Sequence, residues 1–570
     1  MQIWRVDLGT GLLQREPVPE SWARLGGRGL LARILLDEVP ADCEPLGPRN
    51  KLIFSPGLLV GQMLSSCDRI SIGGKSPMTR GIKESNAGGT TGLKMASLGI
   101  RALVIEGRIP EQIAGAGWRV LHLSLEGARL DPAGDLAGLG VTEAAARLLQ
   151  RYGEEVAISL IGPAGEMRLS AAGIQNLDLD HVPSRIAARG GLGAVMGSKG
   201  LKAVVFDPAG GSRPPIADPE AFLEARKKYS RNLLGHPVPA VYRDYGTASL
   251  VMLVNAMAAM PTRGFSSGQF EGAEALSGEH MRELMLQRGG ESNPTHHCMP
   301  GCTIRCSNSY GDPKGKVLVA PMEYETIGLM GSNLGIADLD VVARLNWEAN
   351  DLGLDSIDLG AALGIAAQAG LMGFGDGGRA LDLLGEIRRA TPLGLILGHG
   401  AAAAGRALGI RRVPAVKGQA IAAYDPRALK GTGVTYATSP QGADHTAGNT
   451  LRAQVDHLDP GIQAGLSRTA QINMAGYDTL GACIFSGGGF AVAPEVIPQF
   501  LNARYGWQVG TDILQTLGRE TLTLEREFNK RAGFTSADDR LPEWMTSEQL
   551  PPHNSVFDVA AADLDGVFNW

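Results

Sequence analysis

Asp207-Pro208-Ala209-Gly210-Gly211-Ser212-Arg213-Pro214-Pro215 divides the chain into two kinds of sequence. Its prolines withhold backbone donors and its paired glycines relax the chain, so neither a helix nor a central strand runs through it. Before it lie short apolar runs rich in β-branched residues: Lys51-Leu52-Ile53-Phe54, Arg69-Ile70-Ser71-Ile72, Ala102-Leu103-Val104-Ile105-Glu106, Ala157-Ile158-Ser159-Leu160-Ile161 and Lys202-Ala203-Val204-Val205-Phe206. Gly-rich turns separate them, which is the signature of strands. After it, apolar residues recur at three and four positions over Pro219 to Leu234, Thr247 to Met260, Asp338 to Ala369 and Thr511 to Phe528, the period of helices. A weaker break falls at Arg411-Arg412-Val413-Pro414. The expected class is α+β: a β-rich N-terminal domain over residues 1–210, then two mainly α-helical domains over 216–415 and 416–570.

At 570 residues with 44% hydrophobic content, the chain can bury several cores. Aromatic residues make up only 5% while glycines number 78, a balance that suits loops drawn close around a ligand, where a side chain would obstruct. The net charge of -6 comes from 53 basic and 59 acidic residues without long blocks. That excludes the basic footprint of a nucleic-acid or anionic-membrane binder. Met1-Gln2-Ile3-Trp4-Arg5-Val6-Asp7 is no secretory leader, and no run of about eighteen apolar residues occurs, so no membrane span and a cytoplasmic location are expected.

Six cysteines are too few and too unevenly spaced for a disulfide scaffold. Three stand in His297-Cys298-Met299-Pro300-Gly301-Cys302-Thr303-Ile304-Arg305-Cys306, a loop that Pro and Gly allow to curl around one compact object. A cubane iron-sulfur cluster needs a fourth thiolate, and Cys483, in the Gly-containing turn Asp478-Thr479-Leu480-Gly481-Ala482-Cys483, is the natural candidate. A zinc site using His296 or His297, or a set of unrelated buried thiols, stays open at this point. Cys43 and Cys67 have no partners at useful spacing and read as small core hydrophobes.

Two glycine motifs fail as nucleotide sites. Gly74-Lys75-Ser76 lacks the earlier glycine of a P-loop, whose place is taken by Arg69. Gly191-Leu192-Gly193-Ala194-Val195-Met196-Gly197 is followed by a strand near Lys202, which leaves no room for the crossover helix of a Rossmann unit. Both can still bring backbone N–H groups and a cation to an anion, with Arg69 and Arg189 so placed and Asn86 as a polar ligand.

Taken together, these segments resemble the aldehyde ferredoxin oxidoreductase family over most of the chain. The resemblance rests on Gly26-Gly27-Arg28-Gly29, Gly74-Lys75-Ser76-Pro77, Asn86-Ala87-Gly88-Gly89, Arg189 to Lys199, Met260 to Phe265, the cysteine loop and Glu323-Tyr324-Glu325-Thr326. Asn350-Asp351-Leu352-Gly353-Leu354-Asp355 and Asp478 to Cys483 are similar to the family's two pterin motifs. What the resemblance implies is a β-rich cofactor-base domain capped by helical domains, holding tungsten or molybdenum between two pyranopterins beside a [4Fe-4S] cluster. Arg69, Asn86, Arg189 and Gly190 would contact pterin phosphates and a bridging magnesium. Asn350, Leu354, Asp355 and Asp478 would bind pterin rings, and Cys298, Cys302, Cys306 and Cys483 the cluster.

The implied reaction is oxidation of an aldehyde to a carboxylic acid, with electrons leaving to ferredoxin or an electron-transfer subunit. Reduction of carboxylic or aromatic thioester substrates, and a cluster-only electron-transfer subunit, are the alternatives. Glu325 and His445 match the family's active-site pair, as general base and as donor to the aldehyde oxygen. Read alone, they would be a helix-terminal carboxylate and a core histidine. The chain departs from the family in a three-residue first cysteine gap, in Asn350 for an aspartate, and in Met260 and Ala482 for leucines. Arg344 stands where some relatives place a glutamate on an iron shared between subunits. A cation does not suit that metal, so neither the shared iron nor the dimer it would join is expected, and a homo-oligomer of another kind stays open.

Overall fold

The computed structural model describes residues 1–110 and 117–570. The first two hundred residues fold as two six-stranded sheets. One contains β1 (Gln2–Asp7), β2 (Leu12–Pro17), β3 (Leu52–Pro56), β4 (Ile70–Lys75), β5 (Ile82–Ala87) and β6 (Ile100–Glu106), in the order β2-β1-β6-β3-β4-β5. The other contains β7 (Arg119–Ser124), β8 (Gly127–Pro132), β9 (Ala157–Leu160), β10 (Ile174–Leu177), β11 (Pro183–Ala187) and β12 (Leu201–Phe206), in the order β8-β7-β12-β9-β10-β11. Adding six to each strand of the first sheet yields the second. Even the single parallel pairing recurs, β1 with β6 and β7 with β12. The domain is thus a duplicated unit, invisible in sequence because no residue pattern is shared strongly between the halves.

The strand runs are apolar on both faces because both faces are covered. Along β12, Val204 and Phe206 enter the layer between the sheets, where Phe206 meets Phe54 edge-on at 6.1 Å. Ala203 and Val205 face outward onto Ala144, Ala145 and Leu148 of the helix Val141–Tyr152. On the opposite side, Ile53, Ala102 and Val104 meet Leu30, Leu31, Ile34 and Leu35 of the helix Gly27–Glu38, whose spacing presents one apolar stripe.

The region after the linker is mainly helical, as its periodicity predicts. The stretch from Asp338 is not one helix: Leu339–Leu352 ends on Gly353 with φ of +75°, and Ser356–Gln368 restarts with the Asp355 carboxylate accepting the Ile357 N–H at 3.0 Å. From Thr247 only Leu250–Ala256 is α-helical, after a short 3-10 turn, since Ala258 adopts a left-handed conformation that ends it. The largest hydrophobic core runs from Ala164 to Val567 and draws residues from both sides of residue 415. Another gathers around the cysteine loop, with Tyr229, Phe490 and Phe500 among its aromatics. Among the described residues, no helix is long and apolar enough to cross a membrane.

Candidate active site

The two motifs ending in Asp355 and Cys483 adopt one local structure. Each closes a helix with a left-handed glycine, Gly353 (φ +75°) or Gly481 (φ +78°). The residue after it reaches back five positions, Leu354 N–H to the Ala349 carbonyl at 2.8 Å and Ala482 N–H to the Tyr477 carbonyl at 2.9 Å, a Schellman closure. Each then docks on its own half of the duplicated domain. Gly57, just after β3, lies so close to the second motif that a Cβ would fall 2.0 Å from Gly481 N, and Gly162, just after β9, would put one 2.3 Å from the Leu352 carbonyl oxygen. Arg69 N–H, ahead of β4, donates to Gly481 O at 3.1 Å; Gly173 N–H, ahead of β10, donates to Gly353 O at 2.9 Å. The receptacle therefore has pseudo-twofold symmetry, the form expected around two copies of one ligand half.

The glycines after β5 and β11 complete it. Gly89 (φ +93°) and Gly191 (φ +78°) bend the chain back from equivalent strands. A helix of seven residues, Leu192–Ser198, fits before β12. It joins strands that are not neighbours, so it still forms no dinucleotide unit. Gly190 (φ +79°) is crowded, since a Cβ would meet Lys83 Cγ at 2.4 Å, and its carbonyl accepts from Ser76 Oγ at 2.7 Å. Lys75 points away from the cradle, donating to the carbonyl of Cys43 at 2.8 Å, so the Gly-Lys-Ser motif is a structural brace.

Arg69 donates to the side chain and, at 3.3 Å, to the carbonyl of Asn86. Arg189 is buried and ties three segments together: Nε to Asp355 at 3.2 Å, Nη2 to Asp358 at 3.5 Å and Nη1 to the Ala443 carbonyl at 2.5 Å. The Asn350 amide donates to Asn346 Oδ1 at 3.4 Å, and its carbonyl accepts from Gln175 Nε2 at 3.4 Å. Asp478 receives Arg28 Nη1 at 3.2 Å, and burial pushes its carboxyl up to about 6. Asn86 Nδ2, Glu84 Oε1, Gln175 Oε1, Arg185 Nε and His445 Nδ1 are buried without a hydrogen-bond partner. Orphaned donors and acceptors at such density around glycine turns fit a polar multidentate cofactor, because each left empty would cost desolvation free energy.

Arg28 staples the receptacle to the helical region. It is 2% exposed and forks onto Glu525 at 2.7 and 2.8 Å while also holding Asp478. Arg28→Ala strands two buried carboxylates, and a loss of about 3–5 kcal/mol in denaturant unfolding is expected.

All four predicted cluster cysteines pack on one core, together with Met299, Ile304 and Ala482. The neighbouring Cys298 thiol holds Cys302 below its ordinary value, while burial pushes Cys306 and Cys483 up. The charges of Cys302 and Cys483 act on Cys306, and Arg69 opposes the rise at Cys483. Cys483 arrives by its N–H donating to Ser66 O at 2.8 Å, while Ser66 Oγ lies 3.4 Å from Cys302 Sγ. Among the described residues no three His, Cys, Asp or Glu side chains are placed to hold a single ion. Both nitrogens of His296 are engaged, by Asp180 at 2.6 Å and Arg185 at 3.3 Å, so the zinc alternative loses that ligand.

Glu325, in the first turn of the helix Tyr324–Met330, and His445 meet at 3.1 Å. Tyr424 donates to the same Glu325 oxygen at 2.8 Å. Burial pushes the Glu325 carboxyl up, but His445 and Tyr424 more than reverse this and hold it below its ordinary value. Burial likewise disfavours the imidazolium, yet Glu325 and Asp444 hold the His445 pKa above its ordinary value. The result is a part-buried carboxylate–imidazolium pair. Sequence reading missed Tyr424, which carries no motif of its own, and Lys83, whose ammonium pairs with Asp444 at 2.8 Å directly before the histidine. It also missed Glu323, which accepts from Thr247 and is pushed up to about 7 by burial. Glu323 opens the quoted Glu323–Thr326 segment and Lys83 lies three residues before Asn86, the one signal that could have marked them.

Comparison with known proteins follows this geometry. The model for "Aldehyde ferredoxin oxidoreductase, N-terminal domain" matches residues 3–208, and that for "domains 2 & 3" of the same enzyme matches residues 224–565. The tungsten-containing aldehyde ferredoxin oxidoreductase of Pyrococcus horikoshii is 31% identical over 96% of this chain and 92% of its own length. That of Thermococcus kodakarensis is 32% identical over 96% and 91%. The aliphatic sulfonate oxidoreductase WOR-like subunit of Pyrococcus furiosus is 28% identical over 88% and 81%. Among solved structures, the active-site complex BamBC of benzoyl coenzyme A reductase with 1,5-dienoyl-CoA superimposes with a TM-score of 0.80 over 100% of this chain and 93% of that one, at 21% identity, a likeness of fold.

Proposed function

The chain belongs to the aldehyde ferredoxin oxidoreductase family, and from that premise we propose that it oxidises aldehydes to carboxylic acids at a tungsten or molybdenum bis-pyranopterin centre. The observation that carries the reading is the Glu325–His445 pair, part-buried and ionised, with His445 Nδ1 left as an unsatisfied donor. Arg69, Asn86, Arg189 and Gly190 would hold the phosphates and magnesium, and Asn350, Leu354, Asp355 and Asp478 the pterin rings. Cys298, Cys302, Cys306 and Cys483 would hold a [4Fe-4S] cluster. When bound, the metal accepts two electrons and the cluster passes them on singly.

An aldehyde and water yield an acid, two protons and two electrons. Glu325, ionised, is the group that takes a proton from water or the hydrate. His445, protonated, donates to the carbonyl oxygen and lowers the cost of charge gathering there. Tyr424 fixes the carboxylate for both tasks through its 2.8 Å bond. The pair implies a pH profile. Since Glu325 sits below the ordinary carboxylate range and His445 above its ordinary 6.5, turnover is expected flat through mildly acidic and neutral pH, falling only on the alkaline side as the imidazolium is lost. A viologen-linked rate against pH checks this; a limb centred below 6.5 would mean the imidazolium is not the working form.

Elemental analysis of anaerobically purified protein tests the cofactor set, with about four iron atoms and about one tungsten or molybdenum per chain expected. Iron alone would sink the proposed reaction.

A further inference from the structure

Residues 61–68, in the connection from β3 to β4, belong to none of the motifs, yet they touch both segments that carry the cysteines. Ser66 O accepts the Cys483 N–H at 2.8 Å, and Ser65 Oγ accepts the N–H of Thr303, next to Cys302, at 3.0 Å. Tyr229 braces the loop, its hydroxyl donating to Ser65 O at 2.8 Å, and Asp68 closes it by accepting the Gly61 N–H at 2.7 Å. From this frame the Ser66 hydroxyl, on a residue 1% exposed, reaches to 3.4 Å from Cys302 Sγ. Among the described residues, no other side-chain hydroxyl is bonded to Cys298, Cys302, Cys306 or Cys483.

Ser66 has a φ of +62°. Glycine enters that region at no steric cost, and the same loop uses one at Gly61 (φ +93°), whereas a serine there carries strain. A hydroxyl therefore stands where backbone geometry alone favours its absence. Its direction is fixed once Cys302 ligates iron. A thiolate has no proton to give, so Ser66 donates and the sulfur accepts.

We propose that Ser66 is a positioning residue that raises the reduction potential of the [4Fe-4S] cluster by donating to the Cys302 thiolate, an inference that rests on the cluster reading given above. One-electron reduction of such a cluster adds a negative charge that its thiolates share. A donor aimed at one of those sulfurs stabilises the reduced form more than the oxidised form. The cluster becomes a better acceptor for each of the two electrons released per aldehyde, which it takes one at a time.

Ser66→Gly removes the hydroxyl and relieves the backbone together, so folding is expected to hold. The measurement is a redox titration of the anaerobically purified full chain, followed by the EPR signal of the reduced cluster. Reduction should become about tenfold less favourable, a fall of about 59 mV for one electron, with iron content at the unmodified level. Ser66→Ala, which keeps the strain, should shift the potential by the same amount. Ser65→Ala is the control: it gives up the bonds to Thr303 and should lower the unfolding temperature while leaving the potential in place. An unmoved potential in Ser66→Gly overturns the proposal, as does a rise, which would mean that the variant only admits water to the cluster. An equal fall in Ser65→Ala also overturns it, because the fit of the loop and not the hydroxyl would then set the value. If Ser66→Gly alone loses iron, Ser66→Ala decides by the same criteria; loss of iron from both would show that the side chain serves to hold the loop, and would overturn the proposal. If the unmodified protein carries no iron and gives no EPR signal, the cluster reading fails and takes this proposal with it, whereas iron present at an unmoved potential removes this proposal alone.

Discussion

Glu325→Gln is expected to lower viologen-linked aldehyde oxidation by about three orders of magnitude while metal content holds. Glutamine fills the same volume and can accept from Tyr424, so the fold has no reason to change. It cannot take a proton from water, and it removes the charge that keeps His445 protonated, the largest effect opposing burial at that ring. His445→Ala should cost a similar factor, because the free carboxylate loses the larger of its two stabilising partners. The two losses should not add: each variant disables the same ion pair, so the double variant should be little worse than either single one. Additive losses would show that the two side chains act independently, and full activity in either would remove it from the chemistry.

The division into a strand-rich and a helix-rich part was legible because the physics is local. Alternating or continuous apolar runs and proline-glycine punctuation act within a few residues, and Asp207 to Pro215 carries both signals. The duplication was not legible. It consists of strand order and of where backbones touch, as with Gly57 against Gly481 and Gly162 against Gly353, and these contacts leave only a lone glycine in the sequence. Continuous helix over Asp338 to Ala369 was the wrong reading because the apolar period persists through Gly353, while the turn depends on its positive φ.

At the site, legibility tracked whether a residue works alone or through partners. The cysteine loop declares itself through thiol spacing, and Glu325 and His445 through their motifs. Lys83, Tyr424 and Arg28 act by pairing with residues remote in the sequence: Asp444, Glu325 and Glu525. Each is an ordinary residue in its own segment. Only burial and remote partners make it matter, and neither is written locally.

Gly57→Ala is expected to destabilise the protein by about 3 kcal/mol and to strip iron from what folds. The new methyl would lie 2.0 Å from Gly481 N, 2.2 Å from Leu480 C and 2.3 Å from Gly481 Cα, all backbone atoms with no rotamer to yield. Relief requires the turn from Asp478 to Cys483 to move away from the strand. That turn is held there by Leu58 N–H to Thr479 O at 3.1 Å, Leu59 N–H to Leu480 O at 2.9 Å and Arg69 N–H to Gly481 O at 3.1 Å, which would stretch together. Cys483 follows two residues later, and its distance from the other three thiols would grow with the shift. Loss of iron at retained folding, followed by visible absorbance and by thermal unfolding, would place the fourth sulfur on this strap. Gly162→Ala makes the matching control, pressing on Leu352 and Gly353 at the other half of the receptacle, where no cysteine is carried. It should destabilise comparably and leave iron in place. Equal iron loss in both variants would show that the cluster depends on global folding alone, and that Cys483 gains nothing particular from Gly57.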